Sequence, residues 1–137
     1  MHQKHMRYDL DLANVVCSEQ GFPTIQTNGR LEATLGNDAV LCVQNSEQDE
    51  DCLIGFKDTP WHIHNDFMFS DARGHYIEMG YLDMLVGLGD GSILVCDLME
   101  LGAVKDRWLI HRDYNNEYTH MQLGEQVIVF RAAKSGA

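Results

Sequence analysis

Apolar and polar residues alternate along most of this chain, and two stretches break the alternation with helical spacing. Residues 24–27 and 30–35 flank Asn28-Gly29. That dipeptide is a strong hairpin signal, because both central positions of the favoured two-residue turn take positive φ. Leu31, Ala33 and Leu35 then fall on one side, and Arg30, Glu32 and Thr34 on the other. Gly36-Asn37-Asp38 predicts a second turn, followed by an apolar strand over 39–44. Further strands are expected over 52–57, 92–99, 104–111 and 125–131, with a hairpin loop at 100–103.

The first helix is expected over 9–20. Asp9 or Asp11 caps it, Leu12, Val15 and Val16 form its apolar stripe, and Gly21 stops it. A strand competes there, since Tyr8, Leu10 and Leu12 alternate with aspartates. The main helix is expected over 75–88, with Met79, Leu82, Leu85 and Val86 as its core stripe and the glycine-rich run 87–91 as its end. Strands joined by short loops must run antiparallel. The fold class read from this order is α+β, a mostly antiparallel β-sheet with two main helices packed on one face. Residues 113–124 form a longer connection, with room for one helical turn at 117–121.

Composition bounds the function. A chain of 137 residues fits a single domain over residues 1–137, with 1–7 frayed. No apolar run approaches the roughly 20 residues of a membrane span, and no secretion signal is evident. The net charge of −11 speaks against nucleic acid and anionic membranes, and it permits a basic protein partner. Cys17, Cys42, Cys52 and Cys96 stand among apolar residues with no Cys-x-x-Cys pair. They read as buried thiols of a cytoplasmic protein.

Candidate chemistry concentrates in Thr59-Pro-Trp-His-Ile-His-Asn-Asp-Phe-Met-Phe-Ser70. On an extended chain His62 and His64 point to one face, about 7 Å apart, and Asp66 continues the alternation. A metal site would use His62, His64 and Asp66, with His111 from a distant segment, holding zinc or another divalent metal. The glutamate that a cupin needs beyond the pair is absent. A JAMM-type metalloprotease would need an aspartate where Arg73 stands. No catalytic constellation is complete, so the leading expectation is binding, with no cofactor. Trp, Tyr and Arg are the usual interface anchors. Trp61, His62, His64, Asp66, Arg107, Trp108 and Tyr114 are therefore the candidate binding residues, together with the acidic loop over 45–51. That loop carries Glu47, Asp49, Glu50 and Asp51 but lacks the glycine of an EF-hand.

Thr59-Pro60-Trp61-His62-x-His64, Gly74-His75-Tyr76, Arg107-Trp108-Leu109-x-His111 and Gly124-Glu125 together resemble small acidic bacterial proteins of the toxin-immunity type. The likeness spans roughly residues 52 to 131. It implies a cytosolic protein that neutralises a partner by binding it, without catalysis, and it assigns no functional residues. The expected function is a non-catalytic inhibitor of a basic protein. The alternative is a metal-binding protein or metal-dependent hydrolase built on the His62/His64 pair.

Overall fold

The Asp9 carboxylate accepts the Leu12 N–H at 3.0 Å and starts helix α1, Leu10–Glu19. The computed structural model describes residues 7–45, 52–64, 66–115 and 124–133. α1 ends at Gln20, with Gly21 left-handed at φ 85°. Its buried residues are Ala13 and Cys17, with Leu10 and Val16 half-buried against the core. Leu12 and Val15 are 43% and 52% exposed, so the expected stripe is rotated. The buried face is the one that Leu10, Ala13, Val16 and Cys17 share at spacings of three and four, beside the stripe of Leu12 and Val15.

Strands β1 (Thr24–Thr27), β2 (Arg30–Thr34), β3 (Val40–Gln44), β4 (Leu53–Phe56) and β5 (His62–Ile63) form one antiparallel sheet in that order. Leu31, Ala33 and Leu35 are buried, as their alternation predicts. At the hairpin Gly29 has φ 82° while Asn28 stays negative, so the turn needs one left-handed residue and not the two expected. Gly36, Asn37 and Asp38 are all left-handed, at φ 89°, 50° and 62°.

The largest departure follows β5. Residues 76–79 are a strand, not helix. β6 (Phe67–Ser70) pairs with β7 (Tyr76–Met79) as a separate hairpin, and helix α2 covers only Tyr81–Asp90. Asp71 closes the hairpin, accepting the N–H groups of Arg73 at 2.9 Å and His75 at 3.0 Å. Phe67, Phe69, Ile77 and Met79 face inward while Met68, Ser70, Tyr76 and Glu78 face out. This period of two masquerades as a helical start because Met79 and Leu82 also suit a helix. On α2, Met84, Leu85 and Leu88 are buried and Val86 is 42% exposed. Gly87 lies so close to Ile93 that a Cβ there would stand 2.6 Å from Ile93 Cγ1.

Strands β8 (Ile93–Glu100), β9 (Ala103–His111) and β10 (Glu125–Phe130) form the third sheet, ordered β10-β8-β9. The architecture is α+β; the described residues form two helices and ten strands in three sheets, and every pairing among them is antiparallel. α1 lies on β1 and β2, α2 on β8, and the helices touch each other. One core runs through all three sheets, from Tyr8 to Ala132. No helix among the described residues is long and apolar enough to cross a membrane. The acidic residues over 46–51 and the possible helical turn at 117–121 lie outside the described residues.

The β8–β9 turn is built on Leu101 and Gly102, at φ 53° and 80°. Leu101 is 93% exposed, so it combines a left-handed backbone with no buried contact to offset it. L-residues other than Asn, Asp and Gly resist this region by roughly 1 kcal/mol. Leu101→Asn is expected to raise the urea midpoint with an unchanged slope, a gain of about 0.5–1 kcal/mol. An unchanged or lower midpoint would show that the leucine is not strained.

Candidate functional site

Proline and a glycine set the entry to the site. Pro60 follows β4, and its carbonyl accepts the His62 Nδ1–H at 3.0 Å. His62 then pairs with Gly55 across the β4–β5 ladder. A Cβ on Gly55 would stand 2.7 Å from the Trp61 carbonyl oxygen and 3.0 Å from His62 Cβ, so this glycine admits the histidine segment to the sheet. The Trp61 N–H donates to Asp106 Oδ1 at 3.2 Å, which ties the segment to β9.

His62 and His64 stand with ring centroids 5.0 Å apart, edge to face. His64 Nδ1 donates to the Cys52 carbonyl at 2.9 Å, matching the His62 bond to Pro60. The other two candidate ligands do not join them. Asp66 is exposed and, with Ile63, borders a hollow that neither histidine lines. Among the described residues no group of three or more His, Cys, Asp or Glu converges as a metal site.

His111 is interior. It is 6% exposed and lies between Phe69, at 6.0 Å, and Tyr114, at 5.1 Å between ring centroids. Its Nδ1 accepts the Asp113 N–H at 3.0 Å, so the neutral ring carries its proton on Nε2. Burial holds its pKa below the usual 6.5. The sign follows: the unfolded chain binds the proton more readily, so stability is present above about 6.5 and is lost as pH falls through the lower folded value. The carboxylates Asp71 and Asp90 are also lowered, but from 3.8, so their acid loss lies in a separate window. His111→Asn keeps an acceptor near Nδ1 and removes the titration. Its stability-versus-pH curve is expected to be flatter than the wild type's just below pH 6.5. Parallel curves from chemical denaturation would refute the assignment.

Arg107 was expected on a binding surface, and the structure places it inside. It is 6% exposed and forms a two-pronged pair with Asp97, itself 5% exposed. Nε and one Nη reach the two carboxylate oxygens, the latter at 3.0 Å. The same guanidinium donates to the Asn37 and Asp38 carbonyls at 3.3 Å each and lies 5.9 Å from the Phe56 ring centroid. With these contacts made inside its own fold, Arg107 is withdrawn from solvent.

The site proper is an aromatic run across all three sheets. Phe56, Trp61, Phe67, Phe69, His111 and Tyr114 follow one another at centroid spacings of 6.1, 6.5, 5.8, 6.0 and 5.1 Å. Along it lies a hollow of about 320 Å³, bordered by Trp61, Ile63, residues 66–70, Trp108, Leu109 and Tyr114. A neighbouring hollow of about 580 Å³ shares Tyr114 and is bordered by Asp71, His75, Tyr76 and Asp113. Trp108 Nε1 is buried without a hydrogen-bond partner among the described residues. Met68 and Tyr76 project outward beside the hollows, 65% and 62% exposed.

Trp61, Asp66, Trp108 and Tyr114 are thus brought together from the expected set, while Arg107 and the histidine pair are not part of this lining. Sequence reading missed Met68, Ser70 and Tyr76. The signal available was the alternation of Phe67 and Phe69 with Met68 and Ser70 before an Asp-x-Arg-Gly turn. The chain matches no protein-family model, no curated protein and no solved structure.

Proposed function

We propose that this chain is a non-catalytic, cytosolic binding protein that inhibits a basic protein partner, of the immunity type. The observation that carries the reading is the aromatic face: Trp61, Trp108 and Tyr114 border one hollow together with exposed Met68, and exposed Tyr76 borders the neighbouring hollow that shares Tyr114. Large, rigid side chains of this kind supply most interface energy. The net charge of −11 favours encounter with a cationic surface. Four free cysteines, all buried, suit a reducing compartment.

The test is capture followed by inhibition. Immobilised chain should retain a basic protein at low salt, the captured protein should lose its activity on complex formation, and Trp61→Ala should weaken the complex by about thirtyfold or more. Retention unaffected by Trp61→Ala, or no inhibition of what is captured, would overturn the reading.

One observation favours a second reading. His62 and His64 meet at 5.0 Å, and each directs Nδ1–H at a backbone carbonyl, the orientation that metal-ligating histidines use. Under the binding-protein reading, protein purified without a tag carries no stoichiometric zinc, and a chelator leaves its melting temperature unchanged. Stoichiometric zinc that disappears in His62→Ala would move the assignment to a metalloprotein.

A further inference from the structure

We propose that the 320 Å³ hollow is a strand-accepting groove, in which an extended, cationic segment of a protein partner pairs with the backbone edges of β6 and β9. The inference rests on the binding-protein reading and specifies its mode.

Consecutive residues 66–70 all border the hollow, which places the edge of β6, not merely one of its faces, against it. The ladder shows which backbone groups that edge offers. The Asp71 N–H donates to the His75 carbonyl at 2.9 Å, so the pairs Phe69/Ile77 and Phe67/Met79 are the bonded ones by alternation. Met68 and Ser70 therefore turn their N–H and C=O groups away from β7. The same count applies to β9. Arg112 N–H donates to the Ser92 carbonyl at 2.8 Å, so Trp108 and Ile110 bond to β8, while Leu109 directs its backbone groups outward.

Two details agree with this phase. The Arg107 N–H, also outward, is taken by Asp106 Oδ1 at 2.8 Å. The outward His111 carbonyl is taken by the Asn115 side chain at 3.0 Å. Met68, Ser70 and Leu109 have no such closure among the described residues. An unpaired strand edge is a template for another chain.

Charge selects the occupant. Asp66 is the only charged side chain among the described residues bordering the hollow, and Asp106 adds a carboxylate that accepts the N–H of Trp61, another bordering residue. In a chain of net charge −11, this groove suits a strand that alternates apolar residues with lysine or arginine.

The chain's two tryptophans, Trp61 and Trp108, both border the hollow, so intrinsic fluorescence reports its occupancy. The probe is a hexapeptide alternating valine and lysine, compared with one N-methylated at alternate residues and one with glutamate for lysine. The expected result is a saturable fluorescence change with the lysine peptide. Binding should fall about tenfold or more on N-methylation or on exchange for glutamate. Met68→Pro removes an outward N–H without breaking the β6–β7 ladder and should weaken binding similarly. Circular dichroism checks its fold, and the N-methylated peptide decides the matter should that variant not fold.

Equal binding of the methylated peptide, or no binding of the lysine peptide, overturns the strand mode. If a basic protein is still captured and inhibited through Trp61, the binding reading survives that failure. If neither peptide nor protein binds, both readings fall.

Discussion

Arg107→Ala is expected to lower the free energy of unfolding by about 3–5 kcal/mol, the usual cost of breaking a buried ion pair from one side. The loss comes less from the attraction removed than from the carboxylate left behind. Asp97 is 5% exposed and would be left in the interior without its partner. The guanidinium also holds the Asn37 and Asp38 carbonyls of a turn with three left-handed residues. Its removal therefore loosens the join between the first and third sheets. The double variant Asp97→Leu/Arg107→Met should lose much less than the sum of the single variants, because no charge is stranded. Urea unfolding of wild type, both singles and the double completes the cycle. Additive losses would show that the pair is not coupled.

Gly55→Ala is the second large effect. A strand interior normally tolerates alanine, and by propensity alone the change is favourable. Here the new methyl would stand 2.7 Å from a backbone oxygen, that of Trp61, which cannot rotate aside. β5 must retreat, and Trp61 with it. The expected loss is about 1–3 kcal/mol, the range for overpacking. The loss should bring a change in tryptophan emission, since Trp61 borders the hollow. A more stable variant with unaltered emission would mean that β5 can shift freely, and the site would then not depend on this contact. Gly55→Ser should behave like alanine, because the clash begins at Cβ.

Much of the secondary structure was legible because its causes are local. Asn28-Gly29 makes its hairpin, Asp9 caps α1, and the alternation of Leu31, Ala33 and Leu35 buries one face. The errors share one cause. Tyr76–Met79 has the residues of a helix start, yet pairing with Phe67–Ser70 through the Asp71 turn outweighs propensity. Likewise Leu12 and Val15 look like the apolar face of α1, but the helix turns Ala13 and Cys17 inward, with Leu10 and Val16 beside them.

The candidate site was legible only in part. Trp61, Asp66, Trp108 and Tyr114 border one hollow, although Trp61 and Trp108 are far apart in the chain. Arg107 carries the residue type of an interface anchor, and nothing in its neighbours' sequence says that Asp97 stands directly opposite it on the adjacent strand β8. His111 looks like a ligand on paper and is an interior ring whose Nδ1 is already engaged.

The composition and periodicity of this chain were enough to dictate an acidic α+β protein with antiparallel strands and four buried thiols, because hydrophobic spacing and turn chemistry act over a few residues. Long-range packing alone set the division into three sheets, the burial of Arg107 and the shared hollow of Trp61 and Trp108. Those features depend on which strand edges pair and which stay open, and pairing joins residues that local pattern cannot relate.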